Sequence, residues 1–291
     1  MKRIPRVVGQ IALLVLGLTW VAPAGAGTLR CPPDSVKVGD ACIDLYEESV
    51  WQIPPSNTAL VKKVASGRAT LADLTSGGAT RLSPAPSCSP FPPANFPKDG
   101  NWTAIPGSSP PSPGVYAVSI PGVRPSTCIT WFQAAQACAL SGKRLVRNEE
   151  WQRAAAGTPD PGNADDGTTT CATNSAGPAN TGSRSNCKSS WGTFDMVGNV
   201  WEWVADWSDL ANNCADWTTH TPIVGAPLAG NDLSCFGGDG FSAASNRFGN
   251  LPGALVRGGF WADGTNAGVF AVSSVVDPPF SAGNFGFRCA R

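Results

Sequence analysis

From Cys31 to about Pro54 the apolar residues Val36, Val38, Ile43, Leu45 and Val50 fall at strand-like positions, divided by the turn pair Gly39-Asp40. This pattern predicts a hairpin. From Leu60 to Leu74 the spacing fits neither period cleanly. Between Ser76 and Gly114 it dissolves into Pro, Ser and Gly, with Pro92-Pro93 and Pro110-Pro111, and reads as a long surface excursion. Two short helices follow. Thr130 with Gln133 makes a capping box, and Trp131, Ala135, Cys138 and Ala139 form the predicted inner face before Gly142 stops the helix. Asn148 is the expected cap of the second helix, Glu149 and Glu150 complement its positive end, and Trp151, Ala154 and Ala155 face inward until Gly157. The basic pair Lys143-Arg144 between the helices reads as solvated surface.

After Gly157 the chain is turn-rich to Ser190 and again from Ser208 to Asn250. Strands are predicted at Leu255–Trp261 and Gly286–Arg291, with a third at Phe270–Val276. Few helices, short strands and long loops define an α+β domain whose loops carry function.

The amino terminus changes the picture of where such a domain works. Lys2, Arg3 and Arg6 precede an apolar run from about Ile11 to Val21 and the small-residue triplet Ala24-Gly25-Ala26. This has the form of a signal peptide over residues 1–26, too short to span a bilayer, leaving residues 27–291 as a secreted or periplasmic domain. Ten Cys in such a chain read as disulfides, and local spacing pairs Cys31 with Cys42, Cys171 with Cys187 and Cys214 with Cys235. Zinc is disfavoured, since there is no Cys-x-x-Cys and His220 is the single histidine. With 21 basic against 21 acidic residues and no basic patch, nothing attracts nucleic acid or anionic lipid, and no later run is apolar for long enough to make a membrane helix.

The densest chemistry lies in Asp195-Met196-Val197-Gly198-Asn199-Val200-Trp201-Glu202-Trp203. Two carboxylates and a carboxamide offer hard oxygen ligands, and two indoles can bury large apolar area beside them. On residue types alone a strand-turn-strand corner with a polar rim explains the stretch equally well.

Ile129-Thr130-Trp131, Ala134-Ala135, Cys138, Gly142-Lys143-Arg144-Leu145, Glu150-Trp151, the Asp195–Trp203 stretch, Arg257-Gly258-Gly259 and Gly286-Phe287-Arg288-Cys289 together resemble the formylglycine-generating enzyme (sulfatase-modifying factor) family, in family order from about Cys42 to Arg291. The resemblance implies one domain of the C-type lectin-like kind, with little regular secondary structure and bound calcium. It implies a disulfide between Cys138 and Cys289. It places calcium ligands on the Asp195 and Glu202 side chains and the Gly198 and Val200 carbonyls, and the start of a second calcium site at Asn180 and Thr181. In the family's enzymes two cysteines after the Arg-Gly-Gly turn bind copper(I), a soft ion that needs thiolates. Those positions are Asp263 and Gly268 here, so copper is not expected. A second family disulfide is also missing, with Ala155 and Ser273 at its two positions.

The expected function is therefore a calcium-stabilised module that binds a protein, peptide or glycan ligand. Between Gly258 and Gly286 the chain lacks Lys, Glu, Gln, Met and His, a composition suited to a displayed surface. Trp261, Ala262, Asp263, Thr265, Asn266, Ser273, Ser274, Ser281, Ala282 and Asn284 are its candidate contact residues. The same run resembles the variable region of diversity-generating retroelement target proteins, so diversified recognition is one alternative. A protein-modifying oxidoreductase of the formylglycine-generating family is the other. A serine hydrolase has no Gly-x-Ser-x-Gly elbow to build on, and one His cannot complete a two-histidine iron site.

Overall fold

The computed structural model describes residues 29–83, 114–208, 253–274 and 276–291. The signal-like segment, most of the Pro-rich excursion, His220 and the Cys214–Cys235 pair lie outside the described residues. In chain order the elements are β1 (Ser35–Val38), β2 (Ala41–Asp44), β3 (Ser49–Ile53), α1 (Thr58–Ala65), α2 (Leu71–Ser76), β4 (Thr80–Leu82), β5 (Gly114–Val118), α3 (Trp131–Leu140), β6 (Arg144–Leu145), α4 (Asn148–Ala154), β7 (Trp201–Ser208), β8 (Gly253–Arg257), β9 (Val272–Ser273), β10 (Phe285–Phe287) and β11 (Cys289–Ala290). This is the expected α+β fold with short elements and long connections. Among the described residues no helix is long and apolar enough to cross a membrane.

Three small sheets carry the strands in the orders β1-β2-β11-β6, β10-β7-β8-β9 and β4-β3-β5. The hairpin β1–β2 turns at Gly39-Asp40 as the sequence predicts, but Val50 leaves it for β3 in another sheet. The ambiguous stretch near Leu60 resolves into α1 and α2, with Leu60, Val64 and Leu74 buried against β3 and β5. Its ambiguity came from a break at Gly67, which interrupts one helical period after two turns. The excursion also starts later than expected, because Thr80–Leu82 pairs with β3.

Helix α3 has the predicted box: Thr130 Oγ1 accepts from the Gln133 N–H at 3.2 Å and Gln133 Oε1 accepts from the Thr130 N–H at 3.0 Å. Its buried face is Ala134, Ala137 and Cys138, whereas Ala139 is exposed, so the inner face is rotated from the one predicted. In α4 the cap falls on Arg147 and not on Asn148. Glu150 accepts from the Arg147 N–H at 2.9 Å, and the Asn148 N–H is taken at 2.6 Å by Asp206 from β7. A distant carboxylate thus replaces the local cap.

The predicted carboxyl-terminal strand is two strands in two sheets. β10 runs parallel to β7, then Arg288 passes between the sheets and β11 inserts between β2 and β6. The first and last parts of the described chain are knitted together, with Cys42 and Arg291 exchanging two backbone hydrogen bonds of 2.8 Å. Disulfides close Cys31–Cys42, Cys138–Cys289 and Cys171–Cys187, and Cys128 is disulfide-bonded as well.

Lys143 corrects the solvated-surface reading. Its ammonium is fully buried, 2.5 Å from Asp44, 3.0 Å from Asp34 and 3.4 Å from Glu48. Burial alone would depress its pKa, but Asp44, Glu48 and Asp34 overcome that and hold it above the usual lysine value. Arg144 is half-buried and grips Glu150 with two hydrogen bonds of 2.7 and 2.6 Å. Burial of the pair follows from long-range closure of the first sheet, which local sequence does not encode.

Candidate functional site

The Asp195–Trp203 stretch forms a tight bend leading into β7. Asp195, Gly198 and Asn199 all take positive φ values of 60°, 74° and 58°. At Gly198 a side chain would run into the Ala172 carbonyl, so the bend needs glycine there. Beyond it Trp203 is fully buried, and its indole N–H donates to the Ile129 carbonyl at 3.0 Å. The bend is thus anchored by a large apolar side chain whose one polar atom is satisfied.

Asp195 and Glu202 meet in a buried charged centre with two partners, Glu47 and Arg288. Arg288 donates to Glu202 through Nη2 at 2.7 Å and Nε at 3.0 Å, and the Trp151 indole N–H donates to the same carboxylate at 2.8 Å. Asp195 accepts from the Gly182 N–H at 2.7 Å. Glu47 accepts from the Asn199 carboxamide and from the Val200 N–H. Three carboxylates therefore face one guanidinium out of contact with water. Burial pushes Asp195 up to about 7. It pushes Glu47 well above the usual carboxylate range, with Asp195 and Glu202 adding to the shift. Glu47 carries no local signal that marks it in sequence; it reaches the centre only because the turn after β2 folds beneath the bend.

This centre holds oxygen donors of the type a hard divalent cation takes. Both Glu202 oxygens, however, are engaged by Arg288 and one of them also by Trp151. The acidic group whose ligand atoms lie within 4.8 Å of one another among the described residues is instead Asp44, Glu48 and Cys289. Around Asp195 the donors are carboxylate and carbonyl oxygens, the charge is in negative surplus, and the Gly198 and Val200 carbonyls accept no loop hydrogen bond among the described residues. The donor types are thus those calcium takes. At the candidate second site the oxygens are otherwise engaged. Asn180 is exposed, the Thr181 carbonyl accepts from the Gly122 N–H at 2.8 Å, and the Thr181 hydroxyl donates to the Ile120 carbonyl at 2.7 Å.

The bend also holds the loops after Gly259. The Gly198 N–H donates to the Gly258 carbonyl at 3.0 Å, the Trp261 N–H to the Asn199 carbonyl at 3.1 Å, and the Trp201 N–H to the Asn284 carbonyl at 2.9 Å. A second support comes from the neighbouring loop, where Ser175 N–H meets the Trp261 carbonyl and Gly264 N–H the Thr173 carbonyl, both at 2.7 Å. Of the candidate contact residues, Ala262 and Thr265 are exposed, and Trp261, Asp263, Asn266, Ser281, Ala282 and Asn284 are half-buried. Ser273 and Ser274 are buried behind them, because β9 pairs with β8, and they are corrected out of any displayed surface.

Asp263 and Gly268 bracket this loop. The Asp263 carboxylate accepts from the Phe260 N–H at 2.9 Å, and the Gly268 N–H donates to the Gly258 carbonyl at 3.2 Å. Burial raises Asp263 to about 6, against the lowering effect of the Phe260 N–H. The unfolded carboxyl ionises near 3.9, so between that pH and about 6 the folded state holds the extra proton. Its stabilising contribution is complete below the unfolded pKa and is lost as pH rises through about 6. Replacing Asp263 with Asn is expected to flatten the pH dependence of the melting temperature across that window, removing on the order of 1–2 kcal/mol of variation. Melting curves from pH 3.5 to 7 check this, and an unchanged profile would assign the window to other groups.

Residues 85–291 match the sulfatase-modifying factor enzyme 1-like domain, and the chain belongs to that family. It is 28% identical over 155 residues to the formylglycine-generating enzyme of Thermomonospora curvata, a match covering 42% of this chain and 46% of that enzyme. Among solved structures it is similar to the Major Tropism Determinant U1 variant, with a TM-score of 0.42, 21% identity and coverage of 89% of this chain and 52% of that one. It is also similar to PvdO from Pseudomonas aeruginosa, with a TM-score of 0.36, 17% identity and coverage of 86% and 80%. The chain spans about half the length of the first two relatives.

Proposed function

We propose that this protein is a secreted, calcium-stabilised member of its family that has given up oxidase chemistry and uses its carboxyl-terminal loops to bind a protein, peptide or glycan. The observation that carries the reading is the content of the two copper positions. Asp263 spends its carboxylate on the Phe260 N–H, and Gly268 has no side chain, so neither supplies a thiolate for copper(I) or for attack. No free cysteine is present among the described residues to substitute for them. The disulfides and the signal-like amino terminus support an oxidising compartment. Oxygen consumption with copper and a cysteine-containing sulfatase peptide is the test: no turnover is expected above a protein-free control, and catalytic turnover would overturn the reading.

The clustered carboxylate oxygens of Asp195, Glu47 and Glu202 support the calcium reading. Chelation is expected to lower the melting temperature by several degrees, and Glu202→Gln to reduce the response to added calcium. A melting curve indifferent to chelator and to calcium would remove the ion from the account. Recognition is proposed to centre on Trp261, Ala262, Thr265 and Asn266, with Asp263 shaping the turn. Peptide and glycan arrays probed with the mature chain and with Ala262→Arg/Thr265→Arg should show a ligand lost in the variant without loss of thermal stability.

A further inference from the structure

Beside the recognition loop lies a cleft of about 650 Å³ lined by Arg124, Asn174, Ser175, Gly177, Pro178 and Arg184. Its two cations are held differently. Arg184 is buried and fixed, 3.3 Å from Asp165, 3.7 Å from Asp166 and 3.0 Å from the Ser175 hydroxyl. Asp165 and Asp166 thus neutralise it and make it a rigid wall. Arg124 is half-buried and has no ion pair or hydrogen bond among the described residues. Arg81 feels it as a like charge: burial first, and then the Arg124 charge, hold Arg81 below the usual arginine range. One Arg124 amino nitrogen stands 4.0 Å from where a side chain on Gly177 would begin, so the guanidinium hangs over bare backbone.

A guanidinium near a like charge, lining a cleft and without a carboxylate partner among the described residues, is an arrangement that an anion from outside completes. We propose that this cleft binds an oxyanion group of a ligand, a carboxylate or a sulfate, with Arg124 as the gripping residue and Arg184 with Ser175 as the fixed wall. The Ser175 N–H is bonded to the Trp261 carbonyl, so the cleft and the recognition loop share an edge and one acidic ligand can reach both. The inference does not depend on calcium or on the absence of catalysis.

The test titrates the full mature chain with sodium sulfate and, separately, sodium succinate, following amide and arginine side-chain NMR signals at constant ionic strength. Saturable shifts at Gly177 and Arg124 are expected for at least one anion, and the tighter of the two identifies the group. Arg124→Ala should weaken binding at least tenfold and Arg124→Lys by less, with melting temperatures unchanged, because Arg124 makes no ion pair or hydrogen bond among the described residues. Arg184 is not the residue to change, since its removal would strand buried Asp165. No saturation with either anion, or equal binding by Arg124→Ala, would overturn the proposal. Ala262→Arg/Thr265→Arg should keep anion binding, which separates failure of this cleft from failure of the recognition loop.

Discussion

Replacing Arg288 with methionine is expected to cost about 3–5 kcal/mol in urea unfolding, a large share of the roughly 5–15 kcal/mol that holds an ordinary domain folded. Arg288 is completely buried, and burial alone would favour its neutral form, yet Glu202, Glu47 and Asp195 hold it charged, with a pKa above the usual arginine value. It also ties three parts of the chain together, donating to the Asp44 carbonyl at 3.0 Å and the Phe194 carbonyl at 2.7 Å besides Glu202. Methionine fills much of the volume but leaves three carboxylates without their guanidinium and the Asp44 and Phe194 carbonyls without this donor. Glu47 and Asp195 can respond by staying protonated, so the variant should be less damaged at pH 5 than at pH 8. Urea midpoints at the two values decide the matter. A loss under 1 kcal/mol at pH 8 would show that the centre is solvated or otherwise neutralised.

Arg288 also shows how far the sequence could be read. Its motif was legible as a family signature, and the helices at Trp131 and Trp151, the hairpin at Gly39-Asp40 and the fold class followed from spacing and caps. The partners of Arg288 were not legible. Glu202 precedes it by 86 positions, and Glu47 reaches the centre from the turn after β2. The same holds for Lys143, whose acidic partners sit 95 and 99 residues earlier and give a basic turn a buried role. Local periodicity encodes which face of an element is apolar; it carries no information about which buried charge another element will deliver. The errors at the α4 cap and the carboxyl-terminal strand are of one kind. Asp206 displaced Asn148 as cap, and the switch between sheets at Arg288 split one strand-like run in two.

The Cys138–Cys289 bridge should be the most stabilising of the three assigned disulfides, by an argument of loop length. Its sequence separation is 151, against 11 for Cys31–Cys42 and 16 for Cys171–Cys187. In the chain-entropy treatment, closing a loop of that size removes about 5 kcal/mol of unfolded-state freedom, and each short loop about 3 kcal/mol. Cys138 lies on the buried face of α3, while Cys289 pairs through its backbone with Leu145 of β6, so the bridge pins the helix to the sheet that its own chain later completes. Changing both cysteines to alanine leaves those backbone pairs in place and removes little volume, which makes the comparison a measure of the cross-link itself. The double variant is expected to lose about 3–5 kcal/mol and to show a larger denaturant dependence, since its unfolded chain is free to expand. Cys171→Ala/Cys187→Ala should lose less. Urea titrations of both variants under non-reducing conditions test the order. If the short-loop variant proves the weaker, unfolded-state entropy is not what this bridge supplies, and its contribution lies in the packing of α3 against Leu145 and Phe287.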